Sequence, residues 1–234
     1  GAPNYSDSLI REKLFISWLD KIKRDAQVIF LLGDLFDFWF EYYKSVPKGF
    51  TRVLGKLAEL SDSGIKIYFF VGNHDCWTRD YFQEEIGMEV LKKPTEFKIN
   101  NKLFFIGHGD GLGPGDFKYK FLKKVFRNPL FIFLFRINYP WFGIPLGNFF
   151  SRKNKILTGN NIEFKSKENE MLFHFCKKKL NVKHYDFFVF GHRHFPLKIK
   201  LGNNSYYFNT GDWINHYSYL HFKDDSLQLK YFKD

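Results

Sequence analysis

Asp34, Asn73, His74, His108, His192 and His194 each sit just after an apolar run that ends in glycine. The runs are Leu31–Leu32–Gly33–Asp34, Phe70–Val71–Gly72–Asn73–His74–Asp75, Ile106–Gly107–His108–Gly109–Asp110 and Phe190–Gly191–His192–Arg193–His194. Thr210–Gly211–Asp212 and Asn215–His216 are weaker echoes. Glycine lets the backbone turn as a strand ends, so the next polar side chain projects beyond the sheet edge. Asp, Asn and His together suit hard or borderline divalent cations, not a thiolate site. The chemistry this predicts is metal-assisted hydrolysis.

Each motif has its own logic. The Asp34 carboxylate can bridge two cations at the spacing two-metal chemistry needs, although Gly-Asp also opens ordinary turns. Asp37, three residues on, is expected on the substrate side. Asn73 can offer its carbonyl oxygen to a cation and keep its amide for a phosphate. His74 can then meet the reacting phosphate or the leaving group, with Asp75 expected to fix its ring. In an extended segment His192 and His194 would project to one side. His174, His184, His216 and His221 have poorer context and read as structural or surface residues.

Helical spacing over residues 8–24 (Leu9, Ile10, Leu14, Phe15, Trp18, Leu19, Ile22) predicts an amphipathic helix, and 50–62 a second. Gln27–Leu32, Ile65–Val71, Leu103–Ile106 and Phe187–Phe190 read as the strands that deliver the motifs. Tyr206–Asn209, Tyr217–Phe222 and Leu227–Tyr231 read as late antiparallel strands. The pattern is mixed α/β. Residues 116–164 break it: basic helical sequence (Lys118, Lys120, Lys123, Lys124, Arg127), an aromatic stripe from Pro129 to Pro145, then Ser151–Arg152–Lys153–Asn154–Lys155. Such an insert can lie at a membrane interface, cover an acyl chain, or be a small cap with solvated charges.

The 234 residues suffice for one domain with a cap and a sizeable core. Lys and Arg outnumber Asp and Glu by 36 to 25, so anionic partners are expected: nucleic acid, lipid or phosphorylated small molecules. The 31 phenylalanines exceed ordinary core needs, which places some rings in a groove or on an apolar partner unless AT-rich coding explains them. Two cysteines, Cys76 and Cys176, suggest no disulfide framework and a reducing compartment.

The ordered set Gly-Asp, Gly-Asn-His-Asp, Gly-His-Gly-Asp and Gly-His-x-His resembles the calcineurin-like metallophosphoesterases. Within them it looks most like the UDP-2,3-diacylglucosamine hydrolases of Gram-negative lipid A biosynthesis. That closer likeness rests on Gly33–Asp34–Leu35–Phe36–Asp37–Phe38–Trp39, on Asp116 and Tyr119 after His108–Gly109–Asp110, on the insert, and on Gly211–Asp212–Trp213. It implies an α/β sandwich of two mixed sheets flanked by helices, with 1–115 and 165–234 as core and 116–164 as a helical cap. It further implies two divalent cations (Mn²⁺, with Mg²⁺, Fe²⁺ or Zn²⁺ as alternatives). Asp34 would bridge them, Asn73, His108 and His192 would complete one site, and His194 would belong to the other. Asp37, Asp116, Tyr119, Ser151, Arg152 and Lys155 would contact substrate. The implied reaction cleaves the pyrophosphate of UDP-2,3-diacylglucosamine to UMP and the diacylglucosamine 1-phosphate, at the cytoplasmic face of an anionic inner membrane and without nucleic acid. A nuclease or nucleotide phosphatase of the superfamily, and a non-catalytic scaffold on this fold, are the alternatives.

Two departures from that family stand out. Its members open with a strand ending in Asp-x-His, whereas this chain begins about where the following glycine would fall. The strand is therefore expected to lie upstream in the gene. Without it, one metal site keeps only Asp34 and His194, and the chain should hold at most one metal tightly, turn over little, and bear an open sheet edge. The second departure is His74, where the best-known members of the hydrolase family carry Arg. An imidazolium there can stabilise charge or donate a proton.

Overall fold

The computed structural model describes residues 5–232 apart from 116, 138, 140, 142, 144, 146, 148–165, 167–168 and 203. Its described residues fall into two compact units, Gly1–Lys92 with Phe121–Asn160, and Lys93–Lys120 with Asn161–Asp234.

The first unit opens with α1 (Tyr5–Ile22), then alternates β1 (Val28–Leu31), α2 (Thr51–Asp62), β2 (Lys66–Phe70), α3 (Tyr81–Glu84) and β3 (Glu89–Leu91). The three strands form a parallel sheet, with Val28 opposite Lys66 and Tyr68 opposite Glu89. Parallel pairing needs a crossover between strands, and α2 supplies the first. Its Val53, Leu54, Leu57 and Leu60 are buried at helical spacing. Against α2 lies α1, whose Leu19 is fully buried, and Lys56–Asp20 and Lys23–Glu59 pairs flank the contact. The end of β1 runs into a loop with no regular structure of its own, held by rings. Phe36 stacks on Phe82 (centroids 5.7 Å), Trp39 on Phe82 (4.8 Å), and Phe38, Phe40 and Tyr42 pack with Trp77 and Phe135. Each buried ring contributes about 1.5–3 kcal/mol, enough to fix a loop that lacks a ladder. Much of the phenylalanine excess is therefore scaffold.

The helices of the insert are α4 (Phe117–Phe126) and α5 (Pro129–Ile137), and the boundary between the units falls within α4. Trp77 Nε1 donates to the Phe126 carbonyl (2.8 Å), and Arg136 Nε to the Glu41 carbonyl (3.3 Å). Despite its apolar sequence, α5 has no buried residue among those described.

The second unit holds a five-stranded sheet in the order β4 (Thr95–Ile99), β5 (Lys102–Gly107), β6 (Phe187–Phe190), β8 (Ser205–Thr210), β7 (Pro196–Gly202). The central β5, β6 and β8 are parallel and the two edges antiparallel. One face is covered by α6 (Met171–Leu180), whose Leu172 and Cys176 join Phe105, Phe188, Phe190 and Tyr207 in the core. On the other face Phe222, from the hairpin β9 (Ser218–Lys223) and β10 (Ser226–Tyr231), meets Phe104 edge-on at 5.0 Å. Because β5, β6 and β8 run parallel, their C-terminal ends deliver His108, His192 and Asp212 to one edge. The chain is thus α/β, with a parallel sheet and a mixed sheet flanked by helices.

Candidate functional site

In the first unit two loops are locked together. Gly33 and Asp34 both take left-handed φ (85° and 54°), which turns the Asp34 side chain back from the end of β1. Asp34 Oδ1 accepts from the His74 backbone N–H at 2.8 Å. Gly72 must be glycine: a Cβ there would lie 2.2 Å from Asp34 Oδ1 and 2.5 Å from its nitrogen. Asp75 is fully buried, and its two oxygens accept from the N–H groups of Gly72 (2.6 Å) and Leu35 (3.0 Å). One carboxylate therefore clamps the Asp34 turn to the Asn73 turn. His74 Nδ1 sits 2.9 Å from the Asp37 carbonyl, which can only accept, so the hydrogen is on Nδ1 and the ring's further chemistry rests on Nε2. The Asp37 carbonyl thus holds the His74 ring, which gives Asp37 a role beside the substrate contact read from its sequence position.

Glu41 was not singled out by its sequence. Its carboxylate is buried and accepts from Trp39 Nε1 (3.0 Å), Thr78 Oγ1 (2.6 Å) and the N–H groups of Arg79, Asp80 and Tyr81 (2.7, 3.0 and 3.3 Å). It ties the segment after Asn73–His74 to the segment after Asp34.

In the second unit His108 is buried at the end of β5 and His192 follows β6, with ring centroids 5.0 Å apart. Ring nitrogens of the two lie within 4.8 Å, near enough to share one ion. Gly191 N–H donates to the His108 carbonyl at 2.9 Å, and the buried Asn209 amide donates to the Gly191 carbonyl. Asp110 accepts from the Tyr119 hydroxyl at 2.8 Å, and the Tyr119 ring is 6.1 Å from that of His192.

The extended geometry expected for His192–Arg193–His194 does not hold. His192 and His194 are both left-handed (φ 65° and 57°), so alternation along a strand does not aim them. Asp34 shares this left-handed conformation, which Asp and His adopt more readily than most non-glycine residues. His194 lies beside Asp212, whose Oδ2 is 3.7 Å from Nδ1, an ion-pair distance when the imidazole is protonated. Asp212 Oδ1 also accepts from the N–H groups of Ile214, Asn215 and His216. Burial pushes the Asp212 carboxyl up, but the neighbouring His194 imidazole and those backbone donors outweigh it and hold it well below the usual carboxylate range. Its sequence showed only a faint Gly-Asp echo. His216 Nδ1, 3.3 Å from the same carboxylate, keeps its structural reading.

The donor set fits a divalent cation: His108 is buried and His192 half-buried, with ring nitrogens close enough to share an ion, while His194 is exposed beside them in sequence. Asp116, Ser151, Arg152 and Lys155 lie outside the described residues.

The model of the calcineurin-like phosphoesterases ("Calcineurin-like phosphoesterase") matches residues 11–196. A Porphyromonas gingivalis protein called UDP-2,3-diacylglucosamine hydrolase is 36% identical over all of this chain and 94% of its own length. Proteins of the same name from Ectopseudomonas mendocina (28%, over 86% of this chain and 83% of the relative) and Pseudomonas putida strain F1 (25%, over 94% and 92%) are also similar.

Proposed function

The chain belongs to the calcineurin-like phosphoesterase family, and from that premise we propose that it cleaves the pyrophosphate bond of UDP-2,3-diacylglucosamine with the help of divalent cations. The observation that carries this reading is the similarity, over the whole chain, to a relative named for that substrate. UMP and 2,3-diacylglucosamine 1-phosphate would be the products.

Asp34, Asn73, His108, His192 and His194 would hold the cations, with Mn²⁺ the expected ion. Bound cations would supply an activated water near neutral pH and Lewis-acid stabilisation of the phosphoryl oxygens. The side chains do the rest. The Asn73 amide would donate to a non-bridging oxygen as charge builds on it. His74, with Nδ1–H committed to the Asp37 carbonyl, would present Nε2 to the phosphate; as imidazolium it would stabilise the leaving group's charge. A phosphate leaving group needs little proton donation, since its monoester ionises near pH 6.

The insert favours an acylated substrate. Along α4 and α5, Phe117, Phe121, Leu130, Phe133 and Ile137 are 49–80% exposed among Lys123, Lys124 and Arg127. Apolar rings next to cations suit acyl chains and an anionic bilayer surface better than a nucleic-acid strand. No described helix is long and apolar enough to cross a membrane, so the contact we propose is peripheral, at the cytoplasmic face of the inner membrane. Residues 116–164 would act as the cap, with Tyr119, Asp116, Ser151, Arg152 and Lys155 toward the sugar and phosphates.

Turnover of UDP-2,3-diacylglucosamine by the full-length gene product in ¹⁸O-water with Mn²⁺ tests the reading, with mass spectrometry locating the label. Label in UMP is expected. Bound metal without turnover of this substrate, but with hydrolysis of DNA or nucleotides, would transfer the activity to another phosphoester. Equal turnover of acylated and deacylated substrate would remove the acyl role of the insert.

A further inference from the structure

Between His192 and His194 in the sequence stands a cation, Arg193. Arg193 is flanked by His192 and His194, both left-handed, and its own N–H closes a tight turn onto the Gly191 carbonyl at 2.7 Å. A guanidinium there would repel any cation the neighbouring imidazoles hold. Its Nε donates instead to Glu170 Oε2 at 3.1 Å, and the Glu170 side chain is only 3% exposed. Glu170 is the N-cap of α6: Oε1 accepts from the Leu172 N–H at 3.2 Å. Its charge also reaches inward. The Tyr207 hydroxyl and the Cys176 thiol are both raised, by burial first and then by Glu170.

The same helix end receives the loop that carries His108. A Cβ on Gly109 would meet Leu172 at 3.2 Å, and one on Gly113 would meet the Met171 carbonyl at 2.4 Å. Lys120 holds the Gly113 carbonyl from the far side at 2.7 Å. Both imidazole loops of this unit are thus seated on the first turn of α6, one by packing and one by a buried ion pair.

We propose that the Glu170–Arg193 pair is the positioning element for His192 and His194. The first turn of α6 thereby braces the turn that β6 delivers, while Asp212 stands beside the His194 ring, and Glu170 neutralises the Arg193 cation between the two imidazoles. This rests on the reading of these residues as cation ligands, so its test has a readout that needs no metal. In metal-free full-length chain, Arg193→Met should speed amide hydrogen exchange across residues 191–194 at least tenfold. The melting transition should stay cooperative, and exchange in β5 should stay unchanged. Unchanged exchange at 191–194 would overturn the proposal whatever the metal chemistry proves to be.

Co²⁺ then reports the geometry. Arg193→Met and Glu170→Gln should each weaken Co²⁺ binding roughly 10- to 100-fold and shift its visible absorption. The double variant should be no worse than either single, because Glu170 acts through Arg193. Multiplied losses, or a Co²⁺ spectrum identical to that of the unaltered chain in Arg193→Met, would refute the coupling. A chain that binds no Co²⁺ at all would count against the ligand assignment, leaving the exchange result to decide on the ion pair.

Discussion

Gly72→Ala should damage the site more than any other single methyl group. The added carbon would lie 2.2 Å from Asp34 Oδ1, 2.5 Å from Asp34 N and 2.9 Å from Asp34 Cγ, whereas ordinary contact begins at 3.4 Å. A rotating carboxylate cannot relieve this, since the backbone nitrogen is inside the clash as well. The two loops must part by roughly 1 Å, against the bonds that Asp75 makes to Gly72 and Leu35 and that Asp34 accepts from His74. Overpacking of this kind costs about 1–3 kcal/mol, and losing one of those hydrogen bonds about 1 more, so the expected destabilisation is about 2–4 kcal/mol. Displacing a reacting group by about 1 Å can cost on the order of 10²-fold in rate. Urea unfolding followed by circular dichroism and turnover with Mn²⁺ would read the two effects. Gly55→Ala is the control: the site lies in α2 with open space around it, so about 0.5–1 kcal/mol of stabilisation is expected. The reasoning fails if Gly72→Ala keeps stability within about 0.5 kcal/mol of the unaltered chain and turnover within about twofold.

Three further outcomes follow from the same geometry. Glu41→Ala strips the acceptor from five donors; each buried donor left unpaired costs about 1–3 kcal/mol, and with water reaching some of them a loss of about 4 kcal/mol is expected in urea unfolding, with Glu41→Gln milder. The Tyr185 hydroxyl, buried and hydrogen-bonded to Glu96, is pushed up from 10.0 to about 12. Because the folded chain holds that proton more tightly, the contribution is whole below pH 10 and lost between pH 10 and 12, at about 3 kcal/mol; Tyr185→Phe should flatten alkaline unfolding there, and parallel profiles would contradict the assignment. Replacing Lys123, Lys124 and Arg127 by glutamine should weaken binding to anionic vesicles by about 3 kcal/mol, on the order of a hundredfold, in a salt-sensitive manner; unchanged binding would remove the docking surface.

The strands that end in Gly-Asp, Gly-Asn-His, Gly-His and Gly-His-Arg-His were legible because apolar runs, glycines and ligand types coincide in a few residues. The boundaries moved by little: α1 is read from 8 and observed from Tyr5. β7 escaped notice because Pro196–Gly202 follows the histidine loop directly and reads as its continuation, although Lys198 and Lys200 alternate with buried Ile199 and Leu201. Three consecutive lysines hid α6, in which only Leu172 and Cys176 are fully buried while Phe173, Phe175 and Leu180 pack at the edge of the core. Glu41 was missed, and Asp212 read only as a faint echo, for a deeper reason. Three donors to each are backbone N–H groups, which have no signature in side-chain identity, and those of Glu41 lie 38–40 positions further along. The left-handed histidines were equally invisible, since alternation assumes the β-conformation they abandon.

Asp75 has a consequence for exchanging parts between relatives. It reaches 40 positions back to the Leu35 N–H and three back to the Gly72 N–H, so the two turns form a single mechanical part encoded in two places. A hybrid gene whose junction falls between codons 36 and 71 would splice one parent's Asp34 turn to another parent's Gly72 pocket, and a tolerance of a few tenths of an ångström would decide whether they mate. Junctions outside that interval carry the part whole. Recombination libraries built on this chain should therefore show a gap in surviving crossovers over a stretch that includes α2, the helix that otherwise looks simplest to swap.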